Sequence, residues 1–144
     1  MIFLGADHAG FLLKEEIKKA LKTKRISFKD LGTHNEESVD YPDIAFAVAK
    51  AVAKNSLNKG VLACGTGVGM CIAANKIKGV RAAVLYSDNI ARLASEHNAA
   101  NVACVGGREM KRSDAVKRVL LWLATPFSKE ERHARRIRKI SALE

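Results

Sequence analysis

Short apolar runs alternate along the whole chain with segments whose apolar positions recur at helical spacing. Runs at Ile2–Ala6, Ile26–Leu31, Gly60–Cys64, Arg81–Tyr86 and Asn101–Val105 are of strand length and mostly apolar, as strands covered on both faces must be. Between them Leu13, Ile17, Ala20 and Leu21 fall at i, i+4, i+7 and i+8; Ile90, Leu93 and Ala94 at i, i+3 and i+4; Val116, Val119, Leu120 and Leu123 at i, i+3, i+4 and i+7. Each set lays an apolar stripe along one helix face. Another helix is predicted from about Pro42, a residue suited to a first turn, to Lys54, and a short one over Cys71–Lys76. Five such β–α units predict an α/β fold: a parallel sheet covered by helices on both faces, with right-handed crossovers. Thr125-Pro126-Phe127-Ser128 breaks the pattern, and Ser128 is placed to cap a last helix from Lys129 to about Ser141, with Glu130 and Glu131 in its first turn. At 144 residues with no internal repeat, one domain spanning 1–144 is expected.

Composition narrows the class. No apolar run approaches the roughly 18 residues of a membrane span. Met1-Ile2-Phe3-Leu4-Gly5-Ala6 has no basic segment before it and no cleavage pattern, so it reads as a first strand rather than a leader. Cys64, Cys71 and Cys104 are an odd number without C-x-x-C spacing. Neither a disulfide framework nor a zinc site is predicted, and a reducing cytoplasm is the expected compartment. Much of the formal charge of +10 lies near the C-terminus, in Lys129, Arg132, Arg135, Arg136, Arg138 and Lys139. Lys14, Lys18, Lys19, Lys22 and Lys24 are expected on the solvated face of a helix. The basic cluster has no interleaved aromatics for stacking single-stranded nucleic acid. Charge alone leaves nucleic acid, an anionic surface and a small anion open as partners.

The chemistry-bearing positions follow the strands. In Val61-Leu62-Ala63-Cys64-Gly65-Thr66-Gly67-Val68-Gly69-Met70 an apolar run ends in a cysteine, and three glycines alternate before a helical segment. Glycines let the backbone approach a bound group, and the helix N-terminus supplies unpaired N–H donors with partial positive charge. The same field favours a thiolate. Cys64 is thus either a nucleophile or base beside an anion cradle, or a space-filling cysteine at an ordinary turn. Ligands of parallel sheets bind outside the carboxyl ends of the strands. There Asp7-His8-Ala9-Gly10 follows the first strand and Gly106-Gly107-Arg108 the fifth, while His97-Asn98 closes the fourth helix just before the fifth strand. Singly, Asp7 also reads as a helix cap, His8 as a surface residue and His97-Asn98 as a helix terminus. Jointly they are expected to converge on one edge of the sheet.

Gly5-Ala6-Asp7-His8-Ala9-Gly10, Val39-Asp40-Tyr41-Pro42-Asp43, Cys64-Gly65-Thr66-Gly67-Val68-Gly69, Ala73-Ala74-Asn75-Lys76 and His97-Asn98-Ala99-Ala100-Asn101 together resemble the ribose-5-phosphate isomerase B family, which includes the galactose-6-phosphate isomerase subunits. The resemblance covers essentially the whole chain, in order. It implies a three-layer α/β/α Rossmann-like fold with a five-stranded parallel sheet and a C-terminal helix packing on a partner subunit. It further implies cofactor-free interconversion of ribose 5-phosphate and ribulose 5-phosphate through an enediolate, as part of the pentose phosphate pathway. Cys64 matches the base position. The N–H groups of Gly65, Gly67, Val68 and Gly69, with the Thr66 hydroxyl, match the oxyanion cradle. His97 matches the acid–base residue that opens the sugar ring. Asp7 and Asn98 match holders of sugar hydroxyls, and Tyr41 lines the pocket near the thiol. Arg132 and Arg136, one helical turn apart, match the phosphate-binding pair, which His8 and Arg108 complete. The family glutamate that replaces the cysteine in some members falls at Met70, so the chain resembles the cysteine-using branch. Cys71 and Cys104 are expected in the core. A homodimer is implied, with a tetramer of such dimers as the alternative, and with the site between two subunits.

Two alternatives remain. Galactose 6-phosphate or allose 6-phosphate as substrate needs only more room in the same pocket. A nucleotide- or nucleic-acid-binding module is disfavoured because the glycine loop follows the third strand and lacks the Lys-Ser/Thr of a P-loop. Nor is an acidic residue expected to close the second strand, since two residues separate Asp30 from the loop.

Overall fold

Side chains on a strand alternate between two faces, so a strand buried on both must be apolar throughout. The computed structural model describes all 144 residues. Its strands are β1 (Ile2–Ala6), β2 (Phe28–Asp30), β3 (Lys59–Cys64), β4 (Ala82–Val84) and β5 (Val102–Gly106). They form one parallel sheet in the order β2-β1-β3-β5-β4. The helices are α1 (Phe11–Thr23), α2 (Tyr41–Ala53), α3 (Val68–Ala74), α4 (Asp88–Glu96), α5 (Arg112–Ala124) and α6 (Glu131–Ser141).

Two cores result. Val61 and Ala63 of β3 pack with Ala103 and Val105 of β5 beneath α1, α4 and α5, where Trp122 is fully buried. The intervening Leu62, Cys64, Val102 and Cys104 pack beneath α2 and α3. Each connection stepping toward the β2 edge runs over the first layer, and each stepping toward β4 runs over the second. A single crossover hand requires that arrangement, and the three-layer α/β/α expectation holds.

The edge strands are shorter than their apolar runs predict: Phe28–Asp30 against Ile26–Leu31, and Ala82–Val84 against Arg81–Tyr86. An edge strand has a ladder on one side only, so its ends lack partners. At the β4 edge the Asn75 side chain takes the place of a neighbour. Its Oδ1 accepts from the Ala82 N–H at 2.8 Å and its Nδ2 donates to the Ala82 carbonyl at 3.0 Å.

Two further expectations are corrected. The last helix begins at Glu131, with Glu130 at its N-cap; Lys129 adopts a left-handed φ of 59° and the Ser128 hydroxyl accepts from the Glu130 N–H instead of capping the helix. Lys14 is not on a solvated face: it is 1% exposed. Its ammonium group donates to Asp30 at 2.6 Å and to the Thr33 carbonyl, while Lys18 reaches the other Asp30 oxygen at 2.8 Å. This network ties α1 to the end of β2. Asp30 therefore does close the second strand, but both its oxygens are committed to lysines, and Oδ1 also accepts from the Gly32 N–H, leaving no acceptor for a dinucleotide ribose.

Burial alone would raise the Asp30 carboxyl, but the hydrogen bonds from Lys14, Lys18 and Gly32 outweigh it and hold the group below its ordinary value. A carboxyl lowered in the folded chain adds stability above its unfolded pKa of about 4 and loses that contribution as pH falls through the folded value. Asp30→Asn is expected to cost about 3 kcal/mol at pH 7, because it leaves the buried Lys14 charge unpaired. The gap to wild type narrows below about pH 4, as urea unfolding across that range will show.

Candidate active site

The loops after β1 and β5 lead to helices on one layer, whereas the loop after β3 leads to α3 on the other. A crevice therefore opens above β3, at a switch point of the topology. Three loops close tightly around it. The Asp7 N–H donates to the Ala63 carbonyl at 3.1 Å, the Gly107 N–H to the Cys64 carbonyl at 2.7 Å and the Arg108 N–H to the Gly65 carbonyl at 2.9 Å. A Cβ at Gly10 would lie 2.2 Å from the Ala63 carbonyl oxygen, and one at Gly107 2.5 Å from that of Ala9. Only glycine permits such backbone contact.

Cys64 ends β3 and is 5% exposed. Its Sγ accepts from the Gly67 N–H at 3.0 Å, a geometry set by the left-handed φ of 82° at Gly67. The Val68 N–H is taken by the Thr66 hydroxyl at 3.1 Å. Two donors assigned to the oxyanion cradle are thus already engaged, one by the thiol itself. Asp7 sits beside the thiol loop, with Oδ1 accepting from the Ala9 and Gly10 N–H groups at 2.9 Å each. One carboxylate oxygen holds the turn into α1, and the other makes no hydrogen bond within the chain. His8 Nδ1 accepts from the Val39 N–H at 3.4 Å. Tyr41 stands at the start of α2 with its ring against Gly69, and Arg108 runs alongside Gly65. A cavity of about 620 Å³ adjoins the loop on the β4 side, between Thr66, Val68, Tyr86 and Arg118.

His97, Asn98, Arg132 and Arg136 do not join this group, and the expected convergence on one edge is overturned. α4 starts at the carboxyl end of β4 and runs antiparallel to the strands, so its C-terminus lies at their amino ends. There Arg81, which precedes β4, donates to the carbonyls of Asn98 and Ala99 at 3.1 Å each. The Ser128 N–H donates to the Glu96 carbonyl at 2.9 Å, bringing the chain into α6. Arg132 and Arg136 are exposed on α6, and Arg132 Nε meets Glu130 at 2.8 Å. One chain thus carries the thiol group and the histidine–arginine group at opposite edges, roughly 15–20 Å apart along the strands.

Sequence reasoning missed His133. It is 5% exposed and stacks on His97, with centroids 4.2 Å apart. The available signal was its place at the head of the stripe His133, Ile137, Ile140 at i, i+4 and i+7. Cys71 packs against the core beneath α2 and α3 as expected, but is only half-buried there. The hydrogen bond with the buried Cys104 thiol, helped against desolvation by the Val84 backbone and the Asn75 side chain, pulls Cys71 down to about 7. Cys104 is buried as expected, and its thiol is pushed up by the same pairing and by desolvation. No cluster of three His, Cys, Asp or Glu side chains is arranged to hold a metal ion, and no helix is long and apolar enough to cross a membrane.

A thiol with an N–H donor on its sulfur, set in the switch-point crevice of a parallel sheet, places a reactive group where proteins of this α/β class bind their ligands. The chain belongs to the Ribose/Galactose Isomerase family, whose sequence model matches residues 2–140. It is 48% identical over 141 residues to a probable ribose-5-phosphate isomerase B of Mycoplasma genitalium, covering 96% of this chain and 92% of that one. It is 41% identical over 143 residues to the ribose-5-phosphate isomerase B of Escherichia coli, covering 99% and 95%. Its fold is similar to the crystal structure of the Mycoplasma genitalium enzyme with bound ribulose-5-phosphate, with a TM-score of 0.95 and 46% identity over 99% of this chain and 94% of that one.

Gly67 joins the thiol to the loop geometry. A Cβ there would lie 3.1 Å from the Val105 carbonyl carbon, and φ is 82°. Gly67→Ala is expected to cost about 1–2 kcal/mol of stability through left-handed strain. In a Cys71→Ser background it should also slow iodoacetamide alkylation of Cys64 about tenfold at pH 7, because the N–H donor to the sulfur is displaced.

Proposed function

We infer that this chain is an aldose–ketose isomerase that interconverts ribose 5-phosphate and ribulose 5-phosphate. Family membership and the full-length likeness to enzymes of that name support the activity. The observation that carries the residue roles is the Cys64 thiol, held by the Gly67 N–H at the floor of the crevice with the Asp7 and Arg108 loops on either side. The Cys64 thiolate takes the proton from C2 of the open-chain aldose. The electron pair moves into the C1–C2 bond and the carbonyl becomes an enediolate oxyanion, stabilised by the Thr66 hydroxyl and the loop N–H groups still free. A proton passes from the C2 hydroxyl to the C1 oxyanion, the carbonyl re-forms at C2, and the thiol returns its proton to C1, which leaves the ketose and the thiolate. Asp7 holds a sugar hydroxyl through its unengaged oxygen, and Tyr41 and Val68 wall the sugar.

The substrate is mostly cyclic in water, so a second acid–base group must open its ring. His97 is assigned that role, Asn98 a sugar hydroxyl, and Arg132 and Arg136 the phosphate with His8 and Arg108. In one chain His8 and Arg108 lie on the thiol edge while His97, Asn98, Arg132 and Arg136 lie on the opposite one, so the working site joins the thiol edge of one copy to the histidine edge of another in a C2 homodimer. Exposed apolar side chains flank each half: Tyr41, Val68 and Ile72 near the thiol, at 40%, 51% and 59% exposure, and Ile140 and Leu143 beyond the arginines, at 50% and 91%. A dimer covers such patches.

The test is a coupled assay for ribose 5-phosphate turnover, with galactose 6-phosphate and allose 6-phosphate as comparators. Cys64→Ser and His97→Asn are each expected to lose most ribose 5-phosphate turnover while remaining folded. Mixed in equal amounts and allowed to exchange subunits, they should recover about a quarter of wild-type activity, because half the dimers are hybrids with one intact site of two. No recovery on mixing overturns the shared site.

The arginines give an independent check. Arg132→Ala and Arg136→Ala should each lower kcat/KM about ten- to a hundredfold, as expected for a lost charge-assisted hydrogen bond. Arg135→Ala and Arg138→Ala remove the same charge from other faces of α6 and should change little. Equal losses across all four would count against a specific phosphate pair.

A further inference from the structure

His133 is the one side chain that α6 buries, and it has no part in the assignments above. Its ring is inclined only 14° to that of His97, with the centroids 4.2 Å apart. Its Nε2 is buried without a hydrogen-bond partner, so hydrogen bonding at that nitrogen does not hold the ring in place; the stack does. Burial, then the nearby charges of His97 and Arg132, push its imidazole below the ordinary value, with Glu130 opposing and Arg136 adding to the push. His133 is therefore neutral near pH 7, and the two rings do not face each other as two cations.

We propose that His133 is a positioning residue for ring opening: stacked flat on His97, it fixes the plane in which that imidazole meets the sugar ring. The proposal rests on His97 being the ring-opening group. The torsion that rotates an imidazole about its stem is broad and weakly restrained, and His97 forms no ring hydrogen bond within the chain that would set it. A parallel aromatic neighbour supplies the missing restraint. The placement has a second consequence. His133 directly follows Arg132 and lies three residues before Arg136 on the same rigid helix. The phosphate grip and the acid–base ring are thereby held at a fixed spacing, and the sugar is presented to His97 in register with its own phosphate.

The test uses the full-length enzyme and both directions of the reaction. Ribulose 5-phosphate is open-chain because its phosphate blocks furanose closure, so its turnover does not need ring opening. His133→Leu fills the space without a flat ring. It should lower kcat for ribose 5-phosphate about tenfold, given how steeply catalysis depends on orientation. KM and the initial rate from ribulose 5-phosphate should stay within about threefold. His133→Phe restores a flat ring and should recover most of the loss. Equal kcat for the Leu and Phe variants overturns the proposal. So does an equal loss in both directions with a raised KM, the signature of a displaced helix and its arginines. His97→Asn separates the two layers: if it keeps full ribose 5-phosphate turnover, the role of His97 itself falls. If His97→Asn is impaired and His133→Leu is not, only the stacking proposal falls.

Discussion

Parallel strands joined by crossovers of one hand give this molecule a polarity that its chemistry has to obey. Every strand ends at one edge of the sheet, and every covering helix that follows a strand ends at the other. Residues placed just after strands, such as Asp7, Cys64 and Arg108, therefore gather above β3. Residues at the end of α4, such as His97 and Asn98, are carried to the amino edge beside Arg81. No loop adjustment brings the two sets together, because the sheet stands between them. Under the proposed roles, the base at the sugar carbons and the acid–base group at the sugar ring come from two copies of the chain.

The crevice itself depends on backbone contact rather than on side-chain packing. The loops after β1, β3 and β5 donate to one another's carbonyls, and glycine at positions 10 and 107 removes the Cβ atoms that would hold them apart. The left-handed Gly67 then turns one N–H onto the Cys64 sulfur. The sulfur thus accepts a hydrogen bond from the same loop that the proposed mechanism uses to hold the substrate oxygen, so both proposed roles rest on one piece of backbone.

The basic character of the chain resolves into separate uses. Lys14 and Lys18 neutralise Asp30 at the end of β2 and pin α1 to the sheet. Arg81 caps carbonyls at the end of α4. On α6, Arg138 pairs with Glu131 and Arg132 with Glu130. Each of these charges is committed to a partner within the chain.

The five strands, the helices between them and the layered fold were legible in the sequence because apolar periodicity is a local signal, written in neighbouring residues. So was the thiol loop, where strand end, glycines and helix start are contiguous from Val61 to Ala74. Three features were not. Lys14 reads as one of several helix lysines until the fold brings Asp30 and Thr33 to it from 16 and 19 residues away. His133 reads as one polar residue in a basic helix until that helix lies against His97. The edge of the sheet on which His97 sits is not a property of the residues around it, because it depends on the direction α4 runs. Sequence alone determined which elements form and which residues are candidates for chemistry. Only the tertiary structure decided which of those residues meet, because a parallel sheet sends strand ends and helix ends to opposite edges.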